Sequence, residues 1–231
     1  MKTVIIEYKY YEDQDPNPGI CEDYMSNFGA KRIVITNHSN HISNSTDTVF
    51  LNHTNQGKDI GAKLLGIDYL ISTNTDVDNL ILLHDKKSPH SPLGNYWYQE
   101  LTSVFKSPNV NFSNQEIAKS NTGIVCSSTY IKAEYNKATK QFDSANGEIL
   151  KSLMQQYNIV PPMPYLYVAG TIMFCKWEPL KKFFTNFSAL DIRATLEKGN
   201  VQDIGIGTRT HAWERFFSWI ITSQGFSIKG I

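Results

Sequence analysis

Short apolar runs that break off into polar turn residues constrain this chain more than any other feature. Thr3 to Tyr10 is rich in β-branched and aromatic residues and gives way to the turn-forming stretch from Glu12 to Gly19, which reads as a strand and a loop. Lys31 to Thr36 carries Ile33-Val34-Ile35, Thr48 to Leu51 is a weaker third run, and Leu80 to Leu83 is a fourth. Near-continuous apolar runs of this kind suit strands of a parallel sheet covered on both faces. Between the third and fourth lies NQGKDIGAKLLGIDYLI, residues 55–71, in which Ile60, Leu64, Ile67 and Leu70 or Ile71 recur at helical spacing. The alternation of strand and helix predicts a doubly wound α/β core.

Later elements are read the same way. Residues 20–29 suit a short helix. Gly94 to Phe105, with Trp97, Leu101, Val104 and Phe105, suits another, and Gly123 to Ser127 is a strand candidate. Residues 132–147 are polar and poorly patterned, which predicts a mobile loop before a helix at 148–157. Pro161, Pro162 and Pro164 forbid helix. Tyr165 to Cys175 reads as two short strands kinked at Gly170, followed by a helix over about 179–184. A last helix runs from His211 to Thr222, with Trp213, Phe216, Phe217, Ile220 and Ile221 on one face. Neither a repeat nor a linker divides the chain, so a single domain over residues 1–231 is expected.

Charge and cysteine content narrow the functions. Twenty-two basic side chains balance twenty-two acidic ones, so no long-range field draws the protein to nucleic acid or an anionic membrane. Phosphate binding must therefore be local. Cys21, Cys126 and Cys175 are odd in number and widely spaced, which argues against a disulfide framework or a CxxC metal site and fits a reducing compartment. The apolar part of the N-terminal stretch is too short for a signal peptide, and no apolar run of spanning length follows, so a cytoplasmic protein without a membrane span is expected.

Three clusters could carry chemistry. In open α/β sheets ligands bind outside the carboxyl ends of the strands. The fourth strand runs there into His84-Asp85-Lys86-Lys87-Ser88, a set suited to a diphosphate and a hard divalent cation, with Asp85 as the metal ligand. An ordinary solvated strand end is the alternative. Asp76 and Asp78 resemble an Asp-x-Asp metal motif, but they precede the strand and are read as turn formers. Asn55, Gly57, Lys58 and Asp59 form a turn into a helix, where free amides and a lysine attract an anion, although Asp59 also suits a plain cap. The third cluster joins Gly170 and Thr171, at the strand kink, to His211, Glu214 and Arg215. His211 and Glu214 share one helical face and can supply a general base, while solvation or ion pairing of Glu214 is the bland alternative.

Taken in order, the segments NQGKDIGAKLL, LILLHDKKSPH, GNYWYQEL, YVAGTIMFCKWEPL and THAWERFF resemble the rhamnan synthesis F family of glycosyltransferase-like proteins and related domains of large algal virus glycosyltransferases. The resemblance spans residues 1 to about 225. It implies a GT-A-like fold, with a nucleotide-sugar-binding part over about residues 1–105 and an acceptor-binding part over about 106–231. It places Asn55, Gly57, Lys58 and Asp59 on the family's Asn-x-Gly-Arg-Asp segment, with Lys58 in place of Arg, so the charge is kept and the bidentate fork is lost. His84, Lys86, Lys87 and Ser88 fall on its His-x-Lys-x-Ser segment, and Asp85 stands where the family often has Thr. Gly170 and Thr171 fall on its Ala-Gly-Thr kink, and His211, Glu214 and Arg215 on its closing helix.

The implied activity is transfer of a hexose or deoxyhexose, rhamnose among them, from a nucleoside diphosphate donor such as a UDP-sugar to a glycan acceptor. Mn²⁺ or Mg²⁺ on Asp85 and the lysines would stabilise the departing diphosphate, Glu214 would act as base beside His211, and Tyr8 or Tyr10 would stack on the nucleobase. Gly170, Thr171 and Arg215 would contact the acceptor. A non-catalytic nucleotide-sugar or carbohydrate-binding module of the same fold is the competing expectation. Nucleic-acid binding is the least favoured reading.

Overall fold

The computed structural model describes residues 1–11, 18–38, 46–85, 94–202 and 204–231. Seven strands form the central sheet: β1 (Thr3–Lys9), β2 (Lys31–Thr36), β3 (Thr48–Asn52), β4 (Asn79–His84), β5 (Thr122–Cys126), β6 (Met173–Lys176) and β7 (Ser227–Gly230), in the order β7-β5-β6-β4-β1-β2-β3. β1 pairs in parallel with β2 and β4, β2 with β3, and β5 with β7, whereas β6 runs antiparallel to both β4 and β5. The fold is α/β and GT-A-like, with a mostly parallel sheet. After β3 the chain returns past β1 to lay β4 on its other side, so strand order reverses between β1 and β4. Ligands of such sheets settle at the carboxyl ends of the strands beside that reversal.

Helices cover both faces. On one face α2 (Lys58–Ser72), α5 (Gly147–Tyr157), α6 (Trp177–Asn186), α7 (Ala189–Ala194) and α8 (Arg209–Thr222) pack on Val4, Ile6, Ile33, Ile35, Leu80 and Leu82. On the other, α1 (Pro18–Phe28), α3 (Gly94–Thr102) and α4 (Asn109–Ala118) pack on Ile5, Ile81, Leu83 and Phe174. Because consecutive side chains of β1 and β4 enter opposite cores, these strands read as unbroken apolar runs. No helix among the described residues is long and apolar enough to cross a membrane.

Two expectations need correction. Residues 132–147 are not a bare loop. Ile131–Ala133 pairs with Leu166–Val168, Tyr135–Asn136 pairs with Gln141–Phe142, and Glu134 between them is buried. Three elements without a clear sequence pattern also exist: α4, α7 and the edge strand β7. Asp76 and Asp78 do lie at the amino end of β4, where Lys2 donates its backbone N–H to Asp78 at 2.7 Å and its ammonium pairs with Asp76.

The entry into α2 is tight. A Cβ at Gly61 would lie 1.7 Å from the Gln56 carbonyl oxygen, which is backbone and cannot swing aside. Gly61→Ala should therefore destabilise the fold by about 1–3 kcal/mol, as overpacking does. A denaturant midpoint unchanged from the parent's would show that the turn at 55–57 is free to move.

Candidate functional site

The carboxyl ends of β1, β2, β3 and β4 carry a connected set of polar side chains. Asp85, one residue past β4, donates its own N–H to the Tyr8 carbonyl at 3.1 Å, while its Oδ2 accepts the N–H groups of Tyr10 at 2.7 Å and Tyr11 at 2.6 Å. The side chain is only 4% exposed. Burial pushes its pKa up to about 6, against the opposing pull of the Tyr11 and Tyr10 amides. His38 donates Nε2–H to the Tyr10 carbonyl at 2.8 Å, so the chain leaving β1 is held from both sides.

The two donor clusters expected from the sequence meet in space. Asp59 Oδ2 lies 3.5 Å from His84 Nδ1, and Lys63 joins them, with its Nζ 2.8 Å from Asp59 and 3.2 Å from His84. Lys63 is fully buried. Lys63 Nζ–H donates to Asp59 and faces His84 Nδ1, so the three side chains form one hydrogen-bonded set. Lys58 opens α2 at the same edge, after Gly57 with φ 75°. A Cβ on Gly57 would strike the Leu196 side chain at 2.3 Å. Lys86, Lys87 and Ser88 lie outside the described residues.

A later segment closes over this edge. Gly57 N–H donates to the Glu197 carbonyl at 2.7 Å and Gly199 N–H to that of Asn55 at 3.0 Å. The amide of Asn55 donates to Asn200 Oδ1 at 3.2 Å, and that of Asn200 to the Tyr10 hydroxyl at 2.9 Å. Arg193 donates to Thr54 Oγ1 at 2.9 Å and approaches His53 Nδ1 at 3.3 Å. Burial, with the Arg193 charge beside it, lowers the His53 pKa to about 4. Tyr8 is buried, wedged edge-on against Tyr10 and His53, with its hydroxyl donating to Asn37 at 3.2 Å. Tyr10, only partly buried, is the more accessible ring of this strand.

The third cluster reaches the same edge through β6. Met173 pairs with Leu82, so the antiparallel register sets Thr171 and Gly170 beside the carboxyl end of β4. Gly170 donates its N–H to Glu214 Oε1, and Arg215 donates Nη1–H to Glu214 Oε2 at 2.7 Å. Arg215 also bonds Glu134 at 3.0 Å and lies over the Tyr167 ring at 4.7 Å from its centroid. It is 8% exposed, so in this structure it braces Glu214. His211 sits in the first turn of α8, its N–H donated to the cap Thr208 and its Nδ1 2.6 Å from the Thr208 hydroxyl. Glu197 holds that turn by accepting the N–H groups of Arg209 and Thr210.

Thr171 is the most unusual residue here. It is β-branched yet has φ 53°, it is fully buried, and its Oγ1 has no hydrogen-bond partner among the described residues. Such backbone costs about 1–3 kcal/mol and collects at functional sites, and a buried hydroxyl left without a bond costs about as much again.

Sequence reasoning passed over Lys63, His53, Arg193, Glu197 and Asn200. Lys63 had a signal, a charge four residues after Asp59 on an apolar helix. The others act across long sequence separations and leave no local pattern. Among the described residues no group of three or more His, Cys, Asp or Glu side chains is placed to hold a metal ion. A cation at this edge would have Asp85 as a candidate carboxylate ligand, and Mg²⁺ is often held by only one or two protein carboxylates. No family model matches the chain, and no curated protein matches it significantly.

The two shifted groups act on stability in opposite directions. Asp85 is raised from 3.8 to about 6, so its burial penalty is absent below about pH 4 and complete above about pH 6. His53 is lowered from 6.5 to about 4, so its penalty appears as pH falls through that interval. Between about pH 7 and about pH 4.5, Asp85→Asn should lose more stability than the parent, and His53→Gln less. Chemical denaturation at both pH values checks this; parallel profiles for all three proteins would contradict the burial of these groups.

Proposed function

We propose that this protein is a glycosyltransferase that moves a hexose or deoxyhexose from a nucleoside diphosphate sugar to a glycan acceptor. The observation that carries the reading is the convergence, on the carboxyl end of β4 and the strand ends on either side of it, of three clusters separated by up to about 160 residues of chain. These are Asn55 to Asp59, His84 with Asp85, and Gly170 to Thr171 with Glu214. The strained backbone of Thr171 beside them supports it further, since such strain collects at functional sites.

In this reading Tyr10 stacks on the nucleobase, and Lys58 with the amides opening α2 receives the diphosphate. Lys86 and Lys87 belong to the same proposal from their place in the sequence. A divalent ion, Mn²⁺ or Mg²⁺, would be held by Asp85 and would neutralise charge on the departing diphosphate. Glu214 takes the acceptor proton: a carboxylate offers about four acceptor positions, so bonds to Gly170 and Arg215 orient it without exhausting it. His211 lies one turn away as an acceptor contact. Rhamnose as the sugar, uridine as the nucleoside and a cytoplasmic location are part of the proposal. Three buried free cysteines suit a reducing compartment.

One observation favours the second reading, a binding module without catalysis. Both Glu214 oxygens are engaged and the side chain is 17% exposed, as a purely structural carboxylate would be.

Incubation with a panel of nucleotide sugars and Mn²⁺ should release nucleoside diphosphate in the presence of acceptor. Asp85→Asn should abolish most metal-dependent donor binding. Glu214→Gln should slow transfer by about 10²–10⁴-fold with donor binding nearly unchanged, the usual loss for a general base. Parental rates in Glu214→Gln would make that residue structural, and donor binding without turnover on any acceptor would favour the module.

A further inference from the structure

A concavity lies away from the carboxyl edge, between the 135–142 hairpin and α5. It encloses about 650 Å³, inside the roughly 300–1,000 Å³ typical of small-ligand sites. Tyr135, Phe142 and Tyr165 line it and touch one another, with centroids 5.2–5.8 Å apart. All three rings stay partly exposed, although the core elsewhere absorbs most large side chains. Around them stand the exposed Lys140, Gln141, Glu148 and Lys151, which offer both donors and acceptors. Lys151 pairs with Glu148 at 2.6 Å and reaches over the Phe142 ring at 5.8 Å, which leaves Lys140 as a single lining charge not balanced by another lining residue.

Aromatic rings beside mixed donors and acceptors, with one unbalanced lysine rather than a basic patch, match a neutral sugar ring. Its axial C–H face is apolar and stacks on an aromatic, while its hydroxyls bond planar and charged side chains at the edge. An anionic ligand would call for a basic patch, and an apolar peptide would leave the polar groups unbonded.

The cleft is tied to the proposed acceptor side by hydrogen bonds at two points. Tyr135 follows Glu134, which holds Arg215 at 3.0 Å, and Arg215 holds Glu214. Ala145 and Gly147, both lining the cleft, flank Asn146, whose side chain accepts the Thr208 N–H at 2.8 Å, and Thr208 in turn bonds His211. We infer that this cleft is a subsite for a neutral hexopyranose unit of the acceptor glycan, positioned by Tyr135, Phe142 and Tyr165 beside the helix that carries His211 and Glu214. The assignment to the acceptor rests on the transfer reading above; the affinity for sugar does not.

The test is direct binding, without turnover. Saturation-transfer NMR on the full chain with maltohexaose, cellohexaose, mannohexaose and a rhamno-oligosaccharide should find at least one ligand with a Kd of about 1 mM or tighter. Tyr135→Ala should weaken it about tenfold, the equivalent of about 1.4 kcal/mol of stacking, and Tyr135→Phe should not. If Tyr135→Ala fails to fold, the double variant Lys140→Ala/Gln141→Ala, confined to exposed positions, should still weaken binding several-fold. Nucleotide-sugar binding should persist in every folded variant. Absence of binding to all four probes, or binding indifferent to these substitutions, would overturn the subsite. Oligosaccharide binding that responds to Tyr135 in a protein that binds no nucleotide sugar would sink the transfer reading and leave the sugar site standing.

Discussion

The carboxylate of Asp85 ties together the two strands on which the whole edge depends. By accepting the Tyr10 and Tyr11 amides while its own amide reaches the Tyr8 carbonyl, it fixes where the chain leaves β1 relative to the end of β4. Those strands flank the reversal in strand order, where neighbouring connections diverge and leave a crevice. A carboxylate placed there is costly to bury, as its raised pKa records. Two backbone bonds to the carboxylate offset part of that cost, and with the Asp85 amide bond to Tyr8 they set the course of the chain that presents Tyr10.

From this point two ion-paired networks extend the edge. Asp59, Lys63 and His84 bind the first turn of α2 to β4, with a fully buried ammonium between a carboxylate and an imidazole. Glu134, Arg215 and Glu214 bind the strand at 131–133 and the Gly170 kink to α8. Removing one member of such a buried set costs far more than the set contributes, because the remaining charges lose their partners. The networks are therefore better understood as setting geometry. Glu197 connects them by capping α8 with its side chain while its carbonyl holds Gly57.

The sheet was legible in the sequence because its central strands are covered on both faces, so Ile33-Val34-Ile35 and Leu80 to Leu83 appear as plain apolar runs. Elements at the periphery were not. In α4 only Ser113, Glu116 and Ile117 are buried, and two of those are polar, so no apolar stripe marks the helix. β7 alternates exposed and partly buried positions at a sheet edge. In the site, Asn55 to Asp59, His84 and Asp85 were visible as polar breaks after apolar runs. Arg193 and Asn200 were invisible, since their meaning comes from bonds to side chains about 140 residues earlier, and so was Glu197, whose carboxylate caps a helix that begins 12 residues later. Tyr8 illustrates a subtler difference. Strand alternation turns it into the core beside His53, and it is Tyr10, just past the strand, that remains accessible.

The central claim is that the carboxyl edge beside β1 and β4 receives a nucleoside diphosphate. It is tested most directly by titrating ¹⁵N-labelled protein with UDP and Mg²⁺ and following backbone amide shifts. The account predicts the largest changes at Tyr10, Tyr11, Asn55 to Lys58, Asp85 and Gly170, with Lys2 and Asp76 to Asn79 at the opposite edge unmoved. Changes concentrated at that opposite edge, or a saturable response confined to the 135–142 hairpin, would contradict it.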